Sequence, residues 1–135
     1  MKPFKFFVIT DTHYFAKSLS ATGDAYKEFM EFEQKCFAET SAINEAAFEY
    51  LANQNEADTI LIAGDLSFNG EKASHEEFVG LLNKLKNAGK DVYVVTAGHD
   101  MEPNPFQYTE EGRVHVEGVK FSDLYDYYRD FGYDK

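Results

Sequence analysis

Three short clusters in the chain carry residue types that can hold a metal ion or move a proton. Asp11 and His13 stand one residue apart, so both side chains can turn toward one point while Thr12 points elsewhere. A carboxylate beside a neutral imidazole suits a borderline divalent ion such as Mn, Fe, Zn or Ni. Asp65 follows Gly64, whose missing Cβ lets the backbone turn sharply and pass close to a bound ion. His99 and Asp100 form the third cluster. Each one alone reads most simply as a surface loop or turn. Their occurrence together, in order, at three successive strand ends is what points to a site.

The elements that must position them are short apolar runs rich in β-formers. Phe6–Thr10 reads as a buried strand ending at Asp11, Thr59–Ala63 as one ending at Gly64-Asp65, and Val92–Thr96 as one ending just before His99-Asp100. Between them lie two helical patterns. Thr40 or Ser41 can cap a helix carrying Ile43, Ala46, Ala47, Tyr50 and Leu51. In the second, Ser74 and Glu77 have the spacing of a capping box, Phe78, Leu81, Leu82 and Leu85 form the apolar stripe, and Gly89 suits the stop. Strand alternating with helix implies a parallel sheet with right-handed crossovers. Ligands of such sheets bind beyond the carboxyl ends of the strands, where the three clusters fall. Residues 16–39 read as a partly helical insertion with no assigned chemistry. Ser122 is expected to cap a last helix running to Phe131, with Gly132 as its stop. His75 and His115 read as solvated or structural, Cys36 as a buried inert thiol, and the tyrosines from Tyr125 to Tyr133 as core or interface.

Composition sets the outer limits. With 13 Lys+Arg against 24 Asp+Glu in 135 residues, the net charge is −11, which argues against non-specific nucleic-acid binding. At 44% hydrophobic residues the chain has material for a packed core, and disorder is excluded as its main description. One cysteine makes an internal disulfide impossible. No run of ~20 apolar residues is present, and Asp11 cuts the first apolar run too short for a secretory leader, so no membrane partner and a cytoplasmic location are expected.

The three clusters resemble the motifs of the calcineurin-like metallophosphoesterases. Asp11-Thr12-His13 is similar to the family's Asp-x-His, Gly64-Asp65-Leu66-Ser67-Phe68-Asn69-Gly70 to its Gly-Asp motif with a polar loop, and Ala97-Gly98-His99-Asp100 to its Gly-Asn-His-Asp. Tyr125–Tyr133, with Phe131-Gly132-Tyr133, also resembles a helix that follows the third motif in some bacterial members. The resemblance implies an α/β fold, the N-terminal half of a metallophosphoesterase-type αββα sandwich with largely parallel strands and outer helices. Residues 1–135 would then be a single domain, the N-terminal portion of a longer one.

The resemblance further implies that Asp11 and His13 bind a first divalent ion and that Asp65 bridges it to a second. His99 would stand beside the leaving group of a phosphate ester, with Asp100 holding its ring. Paired cations acidify a shared water and neutralise the phosphate they orient. The third motif departs from the family's: Gly98 stands where the asparagine ligand of the second ion aligns, and no fourth or fifth histidine motif follows. Two functions are therefore carried forward. One is a metal-dependent phosphoesterase, weak or inactive as this chain alone; the other is a non-catalytic module that keeps the fold for binding or assembly. A plain nucleotide-binding domain is disfavoured, because Asp-Thr-His stands where a glycine-rich cradle belongs. Half a sandwich would leave one sheet face apolar and bare, so self-association, or pairing with a missing C-terminal half, is expected.

Overall fold

In the computed structural model, which describes residues 3–134, the three predicted strands form at Phe6–Ile9 (β1), Thr59–Ala63 (β2) and Asp91–Val95 (β3). They pair in the order β1-β2-β3, all parallel, with Phe6 opposite Thr59 and Thr59 opposite Asp91. Side chains alternate between the faces of a strand. Ile60, Ile62, Val92 and Val94 therefore share one buried face with Phe7 and Ile9, packed against Phe48 and Leu51 of α2 (Thr40–Asn53) and Phe78, Leu82 and Leu85 of α3 (Lys72–Asn87). Each fully buried Leu or Ile here contributes about 1.5–3 kcal/mol of transfer free energy.

The other face is open at β1 and at the end of β3, while the turn at Gly132 lies against Tyr93. Phe6, Val8 and Val95 are exposed there. This corrects β1 as a buried strand: it is an edge strand with only Phe7 and Ile9 turned toward the helices.

The helices form where expected, and α3 buries its expected stripe of Phe78, Leu81, Leu82 and Leu85, whereas α2 buries a different face. On α2 the inner stripe is Thr40, Asn44, Phe48 and Leu51, while Ile43 and Tyr50 are exposed. The reason is polar: Asn44 donates its side-chain amide to the Thr12 carbonyl at 2.9 Å, and docking that group turns the helix about its axis. Helix α3 begins at Lys72, so Ser74 and Glu77 form no capping box. Both instead clamp the segment after His13. Ser74 Oγ accepts from the Ala16 amide at 3.1 Å, and Glu77 accepts from the Tyr14 hydroxyl and the Lys17 and Ser18 amides. Gly89, at φ 84°, follows the helix as its stop.

The insertion is partly helical, with α1 at Asp24–Phe32 and a 3₁₀ turn at Phe37–Glu39. It packs against an antiparallel hairpin of β4 (Phe106–Thr109) and β5 (Gly112–His115). Phe15, Phe37, Phe68 and Tyr108 form the buried centre of this second, aromatic cluster. Cys36 is exposed, not buried: its left-handed backbone, φ 52°, turns it outward while Phe37 takes the inner place.

Helix α4 covers Phe121–Tyr128 and passes into a 3₁₀ turn at Arg129–Phe131, closed by Gly132 at φ 113°. Ser122 lies inside this helix; Asp123 does the capping, accepting from the Lys120 amide at 2.9 Å. Among the described residues, no helix is long and apolar enough to cross a membrane.

Candidate metal centre

The pairing of β1 with β2 runs on into the loops. Asp11 N–H donates to Gly64 O at 3.2 Å, His13 N–H to Asp65 O at 2.9 Å and Tyr14 N–H to Leu66 O at 2.8 Å. The first two clusters are thereby held side by side beyond the carboxyl ends of their strands. The third is brought in by Gly64, whose N–H donates to Val95 O at 2.9 Å. A Cβ at Gly64 would lie 2.7 Å from that of Ala97, and φ there is 78°, so glycine is required.

His13 Nε2 lies 3.7 Å from Asp11 Oδ1 and 4.0 Å from Asp65 Oδ2. The His99 ring stands edge-on to that of His13, 5.0 Å between centroids. Ligand atoms of His13, Asp65 and His99 all fall within 4.8 Å of one another, a spacing at which one ion could be shared. Asp65 turns its other oxygen, Oδ1, to the His99 amide at 3.2 Å, which fixes the rotation of its carboxylate. Thr12 points away into the protein, its hydroxyl 2.9 Å from Leu66 O. Of the expected residues, His13, Asp65 and His99 converge; Asp11, largely exposed, approaches His13 alone among them.

The backbone carries a mark of its own here. Asp11, His13 and Asp65 have φ of 55°, 41° and 49°, and the one other non-glycine residue with positive φ among those described is Cys36. Such conformations cost about 1–2 kcal/mol per residue and gather at functional sites. The side chain of His13 is also short of partners: its buried Nδ1 has no hydrogen bond. Burial lowers the pKa of His13 first, Lys35 and His99 lower it further, and Asp65 and Asp11 oppose them. The ring is held neutral, the form in which imidazole binds a metal.

Asp100 does not hold the His99 ring. Its Oδ1 accepts from the amide and hydroxyl of Ser67 and its Oδ2 from the Ala97 amide, so the carboxylate ties the third loop to the second from below. The ring is met instead by Asn69, whose Oδ1 lies 3.2 Å from His99 Nδ1. On the far side of Asp100 lies His75, fully buried with both nitrogens bonded. Its Nε2 is 3.0 Å from the Asp100 carbonyl and its Nδ1 2.5 Å from the Tyr128 hydroxyl. The carbonyl can only accept, so Nε2 carries the proton and Tyr128 donates to Nδ1. This settles His75 as structural. Gly98 is exposed with φ outside the positive range, and a Cβ there would meet nothing within 4 Å.

Two residues of the site have no role in the sequence reading. Asn69 sits in the quoted Gly-Asp loop and could have been proposed from its place there. Lys35 comes from the insertion, and its Nζ lies 3.2 Å from His99 Nε2.

A model of the family described as calcineurin-like phosphoesterase matches residues 4–134. No curated protein matches the chain.

Proposed function

Because the chain belongs to the calcineurin-like phosphoesterase family, we propose that it binds a divalent ion and hydrolyses phosphate esters. The observation that carries this reading is the convergence of His13, Asp65 and His99 within 4.8 Å at the carboxyl edge of a parallel sheet. Asp11, His13 and Asp65 are the proposed ligands. The donor set fits: two carboxylates and a neutral imidazole suit Mn, Fe, Zn or Ni, and the strained backbone is held by the inter-loop hydrogen bonds.

An ion bound there would polarise a phosphoryl oxygen and make water more acidic. The rest of the chemistry belongs to the side chains. Asp65, fixed by the His99 amide, keeps one oxygen free for coordination. His99, its Nδ1–H held by Asn69 Oδ1, keeps Nε2 beside the Lys35 ammonium at 3.2 Å, and this pair can supply a proton to a leaving oxygen that arrives there. Asp100 keeps the loop that carries His99 in register with the loop that carries Asp65.

The test is to load the purified chain with Mn²⁺, remove free ion, and measure retained metal beside Asp65→Asn. Asparagine tolerates the left-handed backbone at position 65, so this variant removes charge with little strain. About one ion per chain, lost in the variant, is expected for a built site; no retained ion in the wild type would overturn the reading. A second reading, a module that binds without hydrolysing, is favoured by Gly98, which offers no donor where the chain has room for one. Retained Mn²⁺ with no turnover of p-nitrophenyl phosphate would select it.

A further inference from the structure

The insertion delivers a cation to this site by a built route. Glu33 closes a tight turn, one carboxylate oxygen accepting from the Lys35 amide and the other from the Phe37 amide, the latter at 3.0 Å. Cys36 then takes its left-handed conformation, and Phe37 drops into the aromatic cluster, 4.4 Å from Phe15 and 4.7 Å from Phe68 between ring centroids. Phe68 lies in the same loop as Asp65 and Asn69. The aromatic contact therefore pins the turn to the loop that carries the candidate ligand.

Lys35, exposed to solvent, is the residue this turn sets beside His99. Its Nζ lies 3.2 Å from His99 Nε2 and 5.7 Å from the centroid of Phe68. Among the described residues it makes no ion pair, although the chain carries 24 acidic side chains and other lysines, such as Lys17, Lys27 and Lys72, are paired. An ammonium resting on an imidazole nitrogen, with no carboxylate of its own, is placed to meet an anion that arrives beside His99. A lysine serves phosphate as a compact point charge on a flexible stem.

We propose that Lys35 is the phosphate-recognition residue of this site, its ammonium taking a non-bridging phosphoryl oxygen alongside His99. The class of ligand is a phosphate monoester or inorganic phosphate, whose second negative charge rewards a cation beside His99. This rests on the proposed function.

The experiment titrates inorganic phosphate into the Mn²⁺-loaded chain and, separately, the metal-free chain, for the wild type, Lys35→Ala and Lys35→Arg, with retained Mn²⁺ measured for each. Lys35→Ala is expected to bind phosphate roughly tenfold more weakly or worse, as befits loss of a charge-assisted hydrogen bond. Lys35→Arg should stay within about threefold of the wild type, because the charge is kept. Retained Mn²⁺ should be equal in all three. Phosphate affinity in Lys35→Ala within about twofold of the wild type would overturn the assignment, as would a wild type that binds phosphate in neither form. If the wild type retains no Mn²⁺ the metal reading fails by itself, and the metal-free titration still decides for or against Lys35.

Discussion

The surroundings of the two buried histidines differ in one respect that separates a site from a scaffold. His75, at the foot of α3, has a donor on one ring nitrogen and an acceptor on the other, both from the protein, on relaxed helical backbone. His13, at the end of β1, is nearly as buried, yet its Nδ1 is unbonded, its Nε2 faces two carboxylates beyond hydrogen-bond range, and its backbone is left-handed. A polar group whose needs are met inside the fold is there to hold the fold. One left short at a strained position is arranged for something that comes from outside.

Substitution should pull the two apart. The largest expected effect is on metal binding: His13→Asn should weaken Mn²⁺ affinity by ~100-fold or more in calorimetric titration, while unfolding free energy stays within about 1 kcal/mol, since asparagine accepts φ 41° readily. Next, His75→Phe should cost about 2–4 kcal/mol in urea unfolding, because the Tyr128 hydroxyl and the Asp100 carbonyl lose their partner in a dry interior. If His13→Asn proved the more destabilising of the two, the contrast would collapse.

A smaller effect concerns pH. Burial lowers the pKa of His75 below its ordinary 6.5. The unfolded chain therefore binds the proton first as pH falls, and stability present above pH 6.5 declines below it, by at most about 1.4 kcal/mol per pH unit for one proton. Burial raises the carboxyl of Glu71, which acts in the opposite sense. Unfolding curves of wild type and His75→Phe, subtracted at each pH, cancel the Glu71 contribution, and the difference should narrow between pH 6.5 and 5. A difference that is flat with pH would show that His75 is not held neutral by the fold. The smallest effect is on the His13 side: Gly98→Asn should add a second, weak Mn²⁺-binding step with stability changed by no more than about 0.5 kcal/mol, because the new side chain enters open space.

What could be read in advance follows the range of the interactions involved. The ends of β1, β2 and β3 were legible because one local signal, an apolar run cut by a charged or glycine residue, marks both the strand and the ligand beyond it. The helices were legible as elements, and α3 also in its facing through Phe78, Leu81, Leu82 and Leu85, but α2 was not. Ser74 and Glu77 have the spacing of a cap, yet they bond Ala16, Lys17 and Ser18, residues nearly sixty positions away that no helical pattern reveals. The exposure of Ile43 could not be anticipated, since Asn44 orients α2 through a single long-range bond to Thr12. Lys35 is the extreme case. Its presence beside His99 depends on the seating of Phe37 among Phe15 and Phe68, which come from two other stretches of chain.

The left-handed backbone at Asp11, His13 and Asp65 also bears on how this protein can change by descent. Glycine would relieve the backbone strain at each position, a relief of about 1–2 kcal/mol apiece that its larger unfolded-state entropy partly offsets. A lineage released from the need to hold an ion would lose the main reason to keep side chains there, most freely at the exposed Asp11 and least at the buried His13. Among natural variants, glycine at position 11, 13 or 65 would therefore report lost metal binding more directly than any change of charge around the site.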